Sequence, residues 1–178
     1  MDNVITFAHN IIKRYTNKDS VAVDATVGNG HDTVFLAKHV KTVYGFDVQA
    51  QAIEHTKKLC KEHDVDNVEL FLDTHANIKD YVNEPIDAAM FNLGYLPNSD
   101  KSITTKATST IKAIEELCSL LTKGGVITIT IYIGHKEGQL EQVALEDFLQ
   151  KMDPSYTVIR YQHVNRPSAP YTVCIQKR

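Results

Sequence analysis

The seven residues from Asp24 to Gly30, Asp-Ala-Thr-Val-Gly-Asn-Gly, constrain the fold of this chain more than any other stretch. They follow a short apolar run, Val21–Val23, and precede a helical pattern, Thr33–Ala37. A strand, a tight glycine turn and a helix N-terminus in this order are typical of a nucleotide-binding corner. The pattern therefore predicts a βαβ unit with a binding corner at the carboxyl end of its first strand.

A second strand pattern, Val43–Asp47, ends in an acidic residue. Asp47 follows the glycine turn by roughly 20 positions, the spacing at which a βαβ unit places an acid beside a ribose. Together, the turn and the acid predict that the protein binds an adenosine-type cofactor.

Composition and cysteine usage narrow the class of protein. The chain has 178 residues, 43% of them hydrophobic, which suits one globular domain over residues 1–178. No apolar run approaches the roughly 20 residues that cross a bilayer, and the first residues lack a signal-peptide pattern. Cys60, Cys118 and Cys174 are isolated, and His9 and most other histidines lack metal-ligand spacing, so we expect packed or solvated side chains. We therefore expect a cytoplasmic protein with no membrane partner and no metal.

The charge distribution permits an RNA partner but does not argue for one. The net charge of −3 is unusual for a broad, unspecific nucleic-acid binder, because such proteins are usually basic. From Lys151 onward, however, the sequence contains five basic residues and only one acidic residue, Asp153. Local patches, more than net charge, steer polyanions.

Strand and helix patterns alternate along the chain, which is the signature of an α/β sheet. The predicted helices are 4–15, 30–38, 51–62, 105–121 and 139–152, and the predicted strands are 20–24, 42–47, 68–72, 86–92, 126–133, 156–163 and 171–176. We expect the pair Gly124-Gly125 to cap the fourth helix. The short connection Asn165–Pro170 predicts a hairpin, so the last strand should run antiparallel.

Seven strands with a C-terminal antiparallel hairpin resemble the sheet of class I methyltransferases, which bind S-adenosylmethionine. A dinucleotide fingerprint needs a third glycine, and this chain has Thr33 there. The run from Asp24 instead resembles the methyltransferase motif of an acid followed by alternating glycines, with Thr26 replacing the first glycine. The predicted fold is α/β, Rossmann-like, with a seven-stranded, mostly parallel sheet and helices on both faces.

The methyltransferase resemblance implies a role for each residue of the corner. Asp24 would accept a hydrogen bond from the methionine ammonium, and the backbone N–H groups around Asn29 and Gly30 would meet the carboxylate. Asp32 would hold the amino-acid tail or simply sit in the first helical turn, where the helix dipole favours an acid. The residues implied near the nucleoside are Asp47 and Gln49 for the ribose, and Asp73 and His75 for the adenine. For Asp32, Gln49 and His75, a purely structural role fits equally well.

The fourth strand ends in Phe91–Pro97, Phe-Asn-Leu-Gly-Tyr-Leu-Pro. This segment resembles the Asn/Asp-Pro-Pro-aromatic motif of methyltransferases that modify nitrogen, with Leu93-Gly94 replacing the prolines. An amine that attacks a sulfonium methyl must be oriented in line, and the amide oxygen of Asn92 with a nearby backbone carbonyl can fix that geometry. Tyr95 offers a flat face for stacking a base. The alternative is a plain strand-to-loop turn with a core tyrosine.

Three segments resemble a family of rRNA methylases whose characterised members are bacterial tRNA wobble-uridine methyltransferases of the MnmM type. They are Asp24–Asp32, Asn92–Lys101 and Gly134–Gly138, and the resemblance covers essentially the whole chain. It implies methylation of the amine of 5-aminomethyl(-2-thio)uridine at tRNA position 34. The chain departs from the family pattern at Asn98-Ser99, where glycines are expected, and after Gly134, where a proline is expected.

Under this resemblance, the cofactor is S-adenosylmethionine, its product is S-adenosylhomocysteine, and the partner is the tRNA anticodon stem-loop. The residues implied at the substrate-facing rim, besides Asn92 and Tyr95, are Leu93, Gly94, Tyr132, His135, Lys136 and Arg166. For Lys136, an ordinary solvated surface charge is a simpler explanation than a contact with the substrate. For Arg166, a surface charge and a substrate contact explain the residue about equally well. Homodimerisation stays open.

Three other functions fit parts of the sequence. One alternative is a methyltransferase that acts on rRNA, a small molecule or a protein amine, and the acidic net charge suits a small molecule or a protein amine better than it suits RNA. A nicotinamide-dependent oxidoreductase would use the same corner, but the missing third glycine disfavours it. A noncatalytic RNA-binding module with a vestigial pocket is disfavoured by the intact Asn92 motif.

Overall fold

The computed structural model of the chain describes residues 2–93, 107–132, 136–166 and 168–178. Its helices are α1 (Val4–Tyr15), α2 (His31–Ala37), α3 (Ala50–Glu62), a 3₁₀ helix (His75–Asp80), α4 (Ala107–Leu120) and α5 (Lys136–Gln150). Its strands are β1 (Val21–Asp24), β2 (Thr42–Asp47), β3 (Val68–Leu72), β4 (Ile86–Leu93), β5 (Leu121–Ile131), β6 (Tyr156–Tyr161) and β7 (Tyr171–Lys177).

The strands form one seven-stranded sheet in the order β3-β2-β1-β4-β5-β7-β6. Neighbouring strands from β3 to β5 are parallel, and β7 runs antiparallel to both β5 and β6. The predicted class I methyltransferase sheet and its antiparallel last strand are therefore confirmed. The chain order reverses between β1 and β4, and ligands of such sheets bind in the crevice beside that point.

The two faces of the sheet carry separate hydrophobic cores, and the alternation of strand side chains assigns each residue to one of them. On β4, Ala89 and Phe91 pack with α4 and α5, whereas Met90 packs with α1 and α2. Because successive side chains point to opposite faces, Asn92 follows Met90 onto the α1–α2 face. The same alternation on β1 sends Asp24 to that face. Two polar strand ends are thus turned toward one layer of helices.

Helix α1 is fixed to the sheet by an apolar stripe at four-residue spacing. Asn3 caps the helix, since its side chain accepts a hydrogen bond of 2.8 Å from the backbone N–H of Thr6. Val4, Ala8 and Ile12 are buried, and the helix packs on β5 and β7. Among the helices that the structure describes, none is long and apolar enough to cross a membrane.

The expectation that Gly124-Gly125 caps the fourth helix is wrong. Helix α4 ends at Leu120, and β5 begins at once, because Leu121 pairs with Ile86 before the register shifts along β4. Gly124 has a φ of +86°, and a Cβ at Gly125 would lie 2.9 Å from the carbonyl oxygen of Asp87. The glycine pair therefore forms the irregular start of a strand.

The turn between β1 and α2 requires glycine for conformation and for space. Gly28 and Gly30 have φ values of +53° and +78°, a region that other L-residues rarely adopt. A Cβ at Gly30 would also lie 2.5 Å from Oγ1 of the buried Thr56 on α3. Helix α3 therefore packs directly against the backbone of the turn.

We predict that Gly30→Ala lowers the free energy of unfolding more than Gly124→Ala does. Both glycines have positive φ, so each alanine costs roughly 1–2 kcal/mol for the left-handed conformation. Only Gly30 adds a steric clash, since nothing lies within 4 Å of a Cβ at Gly124. Urea unfolding of both variants measures the difference. Equal losses would show that the packing of Thr56 against the turn does not matter.

Candidate functional site

Asp24, the last residue of β1, lies buried beneath the glycine turn and is 1% exposed. Its carboxyl oxygens accept hydrogen bonds from the Thr33 hydroxyl at 2.6 Å and from the Thr26 backbone N–H at 3.2 Å. Burial, together with the negative charges of Asp32 and Asp47, raises the pKa of Asp24 to about 7. A cation bound at this corner would favour the ionised carboxylate.

Asp47 ties the glycine turn to the end of β2. Its carboxylate accepts hydrogen bonds from the backbone N–H of Gly28 at 2.8 Å and from that of Gln49 at 2.9 Å. Gln49 is the N-cap residue of α3, but its side chain makes no capping hydrogen bond. The structure thus places the acid and the glutamine that were predicted for the ribose next to the turn, both half-buried.

Asp73 follows β3 directly and binds its own loop. It accepts hydrogen bonds from the Tyr81 hydroxyl at 2.8 Å and from the Thr74 backbone N–H at 2.7 Å. These bonds, with one from the Asn77 amide, hold the pKa of Asp73 below its ordinary value. Asp73 therefore organises the 3₁₀ helix, and its predicted contact with adenine would have to use the remaining acceptor capacity of its carboxylate.

His75 presents a buried acceptor that is left unpaired by the residues that the structure describes. Its Nδ1 lies 3.0 Å from the carbonyl oxygen of Ala25, and because a carbonyl only accepts, Nδ1 carries the proton. Burial lowers the pKa of His75, which favours the neutral ring. Nε2 then has a free lone pair, and it has no hydrogen-bond partner among the described residues. A buried polar atom of this kind calls for a donor from a ligand or a water.

Asn92, at the end of β4, contacts the turn and α2. Its backbone N–H donates to the Thr26 hydroxyl oxygen at 2.7 Å, and its side-chain Nδ2 donates to Asp32. The carboxylate of Asp32 also accepts a hydrogen bond of 2.6 Å from Nε2 of His9. The amide oxygen of Asn92 is buried and lacks a partner within the part of the chain that the structure describes. Asp32 is therefore bound to Asn92 and His9, whichever role it has toward a cofactor.

The sequence did not reveal that His9 belongs to this cluster, since it was expected to be merely solvated or packed. The ring of His9 also stacks on Phe35 of α2, with centroids 3.7 Å apart and planes 6° apart. His9 and Asp32 lie on different helices and 23 positions apart in the sequence, and no spacing motif encodes their hydrogen bond. The one signal in the sequence is that His9 flanks the apolar stripe of α1.

The predicted rim residues are only partly brought together. The side chain of Leu93 is buried in the core, and its carbonyl accepts a hydrogen bond of 3.3 Å from the backbone N–H of Tyr132. Tyr132 is 44% exposed, and partial burial together with the charge of Asp32 raises its pKa. Arg166 is exposed in the β6–β7 connection, and no contact with Asn92 is found among the described residues. Among the described residues, Tyr132 is therefore the exposed rim side chain that lies near Asn92.

Several predicted residues lie outside the described part of the chain, so their roles stay predictions. They are Gly94, Tyr95 and His135, together with the side chain of Lys136 and the segment Asn98–Lys101. Asn29 is exposed at the tip of the glycine turn.

The C-terminal excess of positive charge is mostly engaged within the fold. Lys151 pairs with Asp147 at 2.7 Å, and Arg160 pairs with Glu146 at 3.1 Å. Lys177 donates a hydrogen bond of 2.7 Å to the carbonyl of Leu121. These cations are therefore less available to a polyanion than the sequence alone indicated.

The site is rich in acceptors and negative charge, which bears on the ligand that it can hold. Asp24, Asp32, Asp47 and Asp73 all lie at the carboxyl end of the sheet, and none of them pairs with lysine or arginine among the described residues. S-adenosylmethionine fits this set of acceptors, because it is a sulfonium cation with an ammonium, two ribose hydroxyls and an adenine amino group to donate. The anionic pyrophosphate of a dinucleotide does not fit it. The described residues also contain no cluster of three or more His, Cys, Asp or Glu side chains that could hold a metal ion.

Comparisons with known proteins identify relatives of this chain. The family model described as "Putative rRNA methylase" matches residues 43–177. The chain is similar to a chloroplastic protein of Arabidopsis thaliana named tRNA (mnm(5)s(2)U34)-methyltransferase, with 34% identity over 186 residues that cover 96% of this chain and 68% of that protein.

Two solved structures share the whole fold. A "putative rRNA-methylase" from Clostridium thermocellum has a TM-score of 0.98 and 39% identity, and the match covers 100% of this chain and 99% of that chain. A "putative methyltransferase" from Streptococcus mutans, in complex with S-adenosylhomocysteine (SAH), has a TM-score of 0.95 and 40% identity, with coverage of 100% and 99%.

We predict that Asp24→Asn stabilises the protein increasingly as the pH rises from about 4 to about 7. The pKa of Asp24 is raised on folding, so the stability that its neutral form contributes is complete near pH 4 and is lost as the pH rises through about 7. Asparagine cannot ionise, so the variant avoids this loss. Urea unfolding at about pH 5 and about pH 8 measures the free-energy difference from the native protein.

The control is Asp153→Asn. Hydrogen bonds from Ser155 lower the pKa of the exposed Asp153, so its contribution changes only at more acidic pH. Its difference from the native protein should be the same at both pH values. A flat profile for Asp24→Asn as well would contradict the raised pKa.

Proposed function

Because this chain belongs to the "Putative rRNA methylase" family and is an S-adenosylmethionine-dependent methyltransferase, we propose that its substrate is a wobble uridine of tRNA. The acceptor is the amine of 5-aminomethyl-(2-thio)uridine at position 34, and the product is the 5-methylaminomethyl form. The observation that carries the proposal is the buried amide oxygen of Asn92, which lacks a partner among the described residues. An amine N–H matches that acceptor.

The cofactor-binding roles follow from the acceptors at the strand ends. When bound, S-adenosylmethionine supplies a methyl group that is activated by a positively charged sulfur. In the proposal, Asp24 accepts from its ammonium, and the backbone around Asn29 and Gly30 faces its carboxylate. Asp47 accepts hydrogen bonds from the ribose hydroxyls, and Gln49 contacts the same sugar. In the proposal, the adenine lies against Asp73 and His75, and Nε2 of His75, which has no partner among the described residues, accepts a hydrogen bond from the adenine amino group.

Asn92 orients the acceptor nitrogen. Methyl transfer forms an N–C bond and breaks a C–S bond, and the nitrogen gives up a proton to water. The nitrogen must therefore present its lone pair in line with the methyl group, and a hydrogen bond from its N–H to Oδ1 of Asn92 holds that orientation. Orientation of this kind can contribute roughly 7–11 kcal/mol to lowering a barrier. Tyr132 supplies an exposed aromatic face near Asp32 on which a splayed base can stack.

Two considerations separate the preferred substrate from the alternative. The similarity to a protein that is named as a tRNA U34 methyltransferase covers nearly the whole chain and supports tRNA. The net charge of −3 and the internal pairing of Lys151 and Arg160 favour an acceptor that is not RNA, such as a small molecule or a protein amine. Cytoplasmic location stays a prediction, and homodimerisation stays open.

We predict that the protein methylates an anticodon stem-loop only when uridine 34 carries the 5-aminomethyl group. The amine is the nucleophile, so a stem-loop with unmodified uridine has no group to accept the methyl. Mass spectrometry of nuclease digests, with S-adenosylmethionine as donor, detects the added methyl group. Stem-loops with and without the 2-thio group run in parallel. Faster methylation of the free 5-aminomethyluridine nucleoside than of the stem-loop would instead favour the small-molecule alternative.

We predict that Asp47→Ala weakens the affinity for SAH by roughly 10- to 100-fold, the effect of losing one or two hydrogen bonds to a charged group. Asp47 is the last residue of β2 and contributes no apolar packing, so circular dichroism should show an intact fold. Isothermal titration calorimetry measures the affinity. Asp66→Ala, at an exposed acid just before β3, is the matched control and should bind as the native protein does. Equal affinities of both variants would remove Asp47 from the cofactor site.

A further inference from the structure

We propose that His9 is a positioning residue for methyl transfer, which acts through Asp32 on the side-chain amide of Asn92. The inference rests on the proposed function in one respect, since it takes Oδ1 of Asn92 as the atom that receives the N–H of the acceptor amine. It assigns a role to α1, which lies outside the βαβ unit that forms the cofactor corner.

The amide of Asn92 can serve the acceptor amine in only one of its two orientations. A carboxamide has a donor end and an acceptor end, and a rotation of 180° exchanges them. The ionised carboxylate of Asp32 can only accept, so it selects Nδ2 of Asn92 as its neighbour. Oδ1 is consequently turned to the buried position that has no partner among the described residues. In the opposite orientation, two acceptors would face each other at Asp32, and the NH₂ group would confront the acceptor amine.

His9 fixes the carboxylate that makes this selection. Nε2 of His9 donates to one oxygen of Asp32 at 2.6 Å, and Asn92 donates to the other oxygen. Two different partners, one for each oxygen, define the rotation of the carboxylate about its side-chain bond. The side chain of Asp32 is 10% exposed, so water is a poor replacement for either partner.

The ring of His9 is held in turn by its own packing. It stacks in parallel on Phe35, with centroids 3.7 Å apart, and α1 is anchored beside it by the fully buried Ala8 and Ile12. A continuous chain of contacts therefore runs from the anchored helix through His9 and Asp32 to Asn92. Loss of the imidazole leaves Asp32 with one fixed oxygen and frees the amide to rotate.

The test compares His9→Leu with His9→Gln. Leucine removes the donor and keeps the helix, whereas glutamine can extend an amide N–H toward the position of Nε2. We expect His9→Leu to lower kcat for the 5-aminomethyluridine stem-loop about tenfold, the effect of one lost hydrogen bond to a charged group. The Kd for SAH should stay within about twofold of the native value. His9→Gln should recover most of the loss, and His55→Leu, at an exposed histidine on α3, should have no effect.

A double-mutant cycle with Asn92→Ala separates positioning from general destabilisation. If His9 acts through the amide, its removal has no further effect once the amide is gone, so the double variant should be as slow as Asn92→Ala alone. Losses of kcat that multiply, or equal losses of kcat and SAH affinity, would overturn the inference.

A second measurement does not depend on methyl transfer. In ¹⁵N-labelled protein, the side-chain NH₂ signals of Asn92 can be assigned by their absence from the Asn92→Ala spectrum. Their hydrogen exchange should be slow in the native protein and in His9→Gln, and faster in His9→Leu. Unchanged protection in His9→Leu would overturn the inference. If the native protein fails to methylate the stem-loop, the proposed substrate is wrong, while the exchange measurement still decides the role of His9.

Discussion

The site depends on the alternation of side chains along two adjacent parallel strands. β1 and β4 pair directly, with Asp24 opposite Met90, and both strands turn their last polar residue toward the layer of α1 and α2. A shift of one residue in either strand would send Asp24 or Asn92 into the apolar core under α4 and α5. Register is fixed here by apolar neighbours on both faces of the sheet, so the core, rather than the loops, determines which polar groups meet.

The same geometry concentrates negative charge that no lysine or arginine among the described residues pairs with. Asp24 illustrates the consequence, since burial and the neighbouring Asp32 and Asp47 raise its pKa to about 7. Carboxylates held this close destabilise the ligand-free fold at neutral pH. A bound cation relieves that repulsion and finds its acceptors already oriented by Thr33, Gly28 and Gln49. The corner thus favours a sulfonium and an ammonium over a phosphate, although the glycine turn alone would suit either.

Local patterns were enough to predict most of the fold, and they failed where distant pairing or side chains decide. The bounds of α1, β2 and β3 agree with the sequence prediction, because apolar periodicity and turn residues mark them. The predicted start of β5 at residue 126 was wrong, because the pairing of Leu121 with Ile86 overrides the capping tendency of two glycines. The 3₁₀ helix was missed, because the Asp73 carboxylate and its partners define it. In the site, the glycine turn and Asn92 follow from motifs, whereas His9 reaches Asp32 only through the packing of α1.

The replacement of two prolines by Leu93-Gly94 also has a physical explanation in this structure, as far as Leu93 is described. Prolines after an asparagine would stiffen the chain by fixing φ. Here β4 itself continues through Leu93, which pairs with Ile131, and its carbonyl accepts a hydrogen bond from the Tyr132 backbone N–H. One residue earlier, the backbone N–H of Asn92 is held by Thr26, the residue that replaces the first glycine of the motif. Thr26 therefore couples the cofactor turn to the transfer segment. The sheet and this one hydroxyl supply the rigidity that the two missing prolines would otherwise give to Asn92.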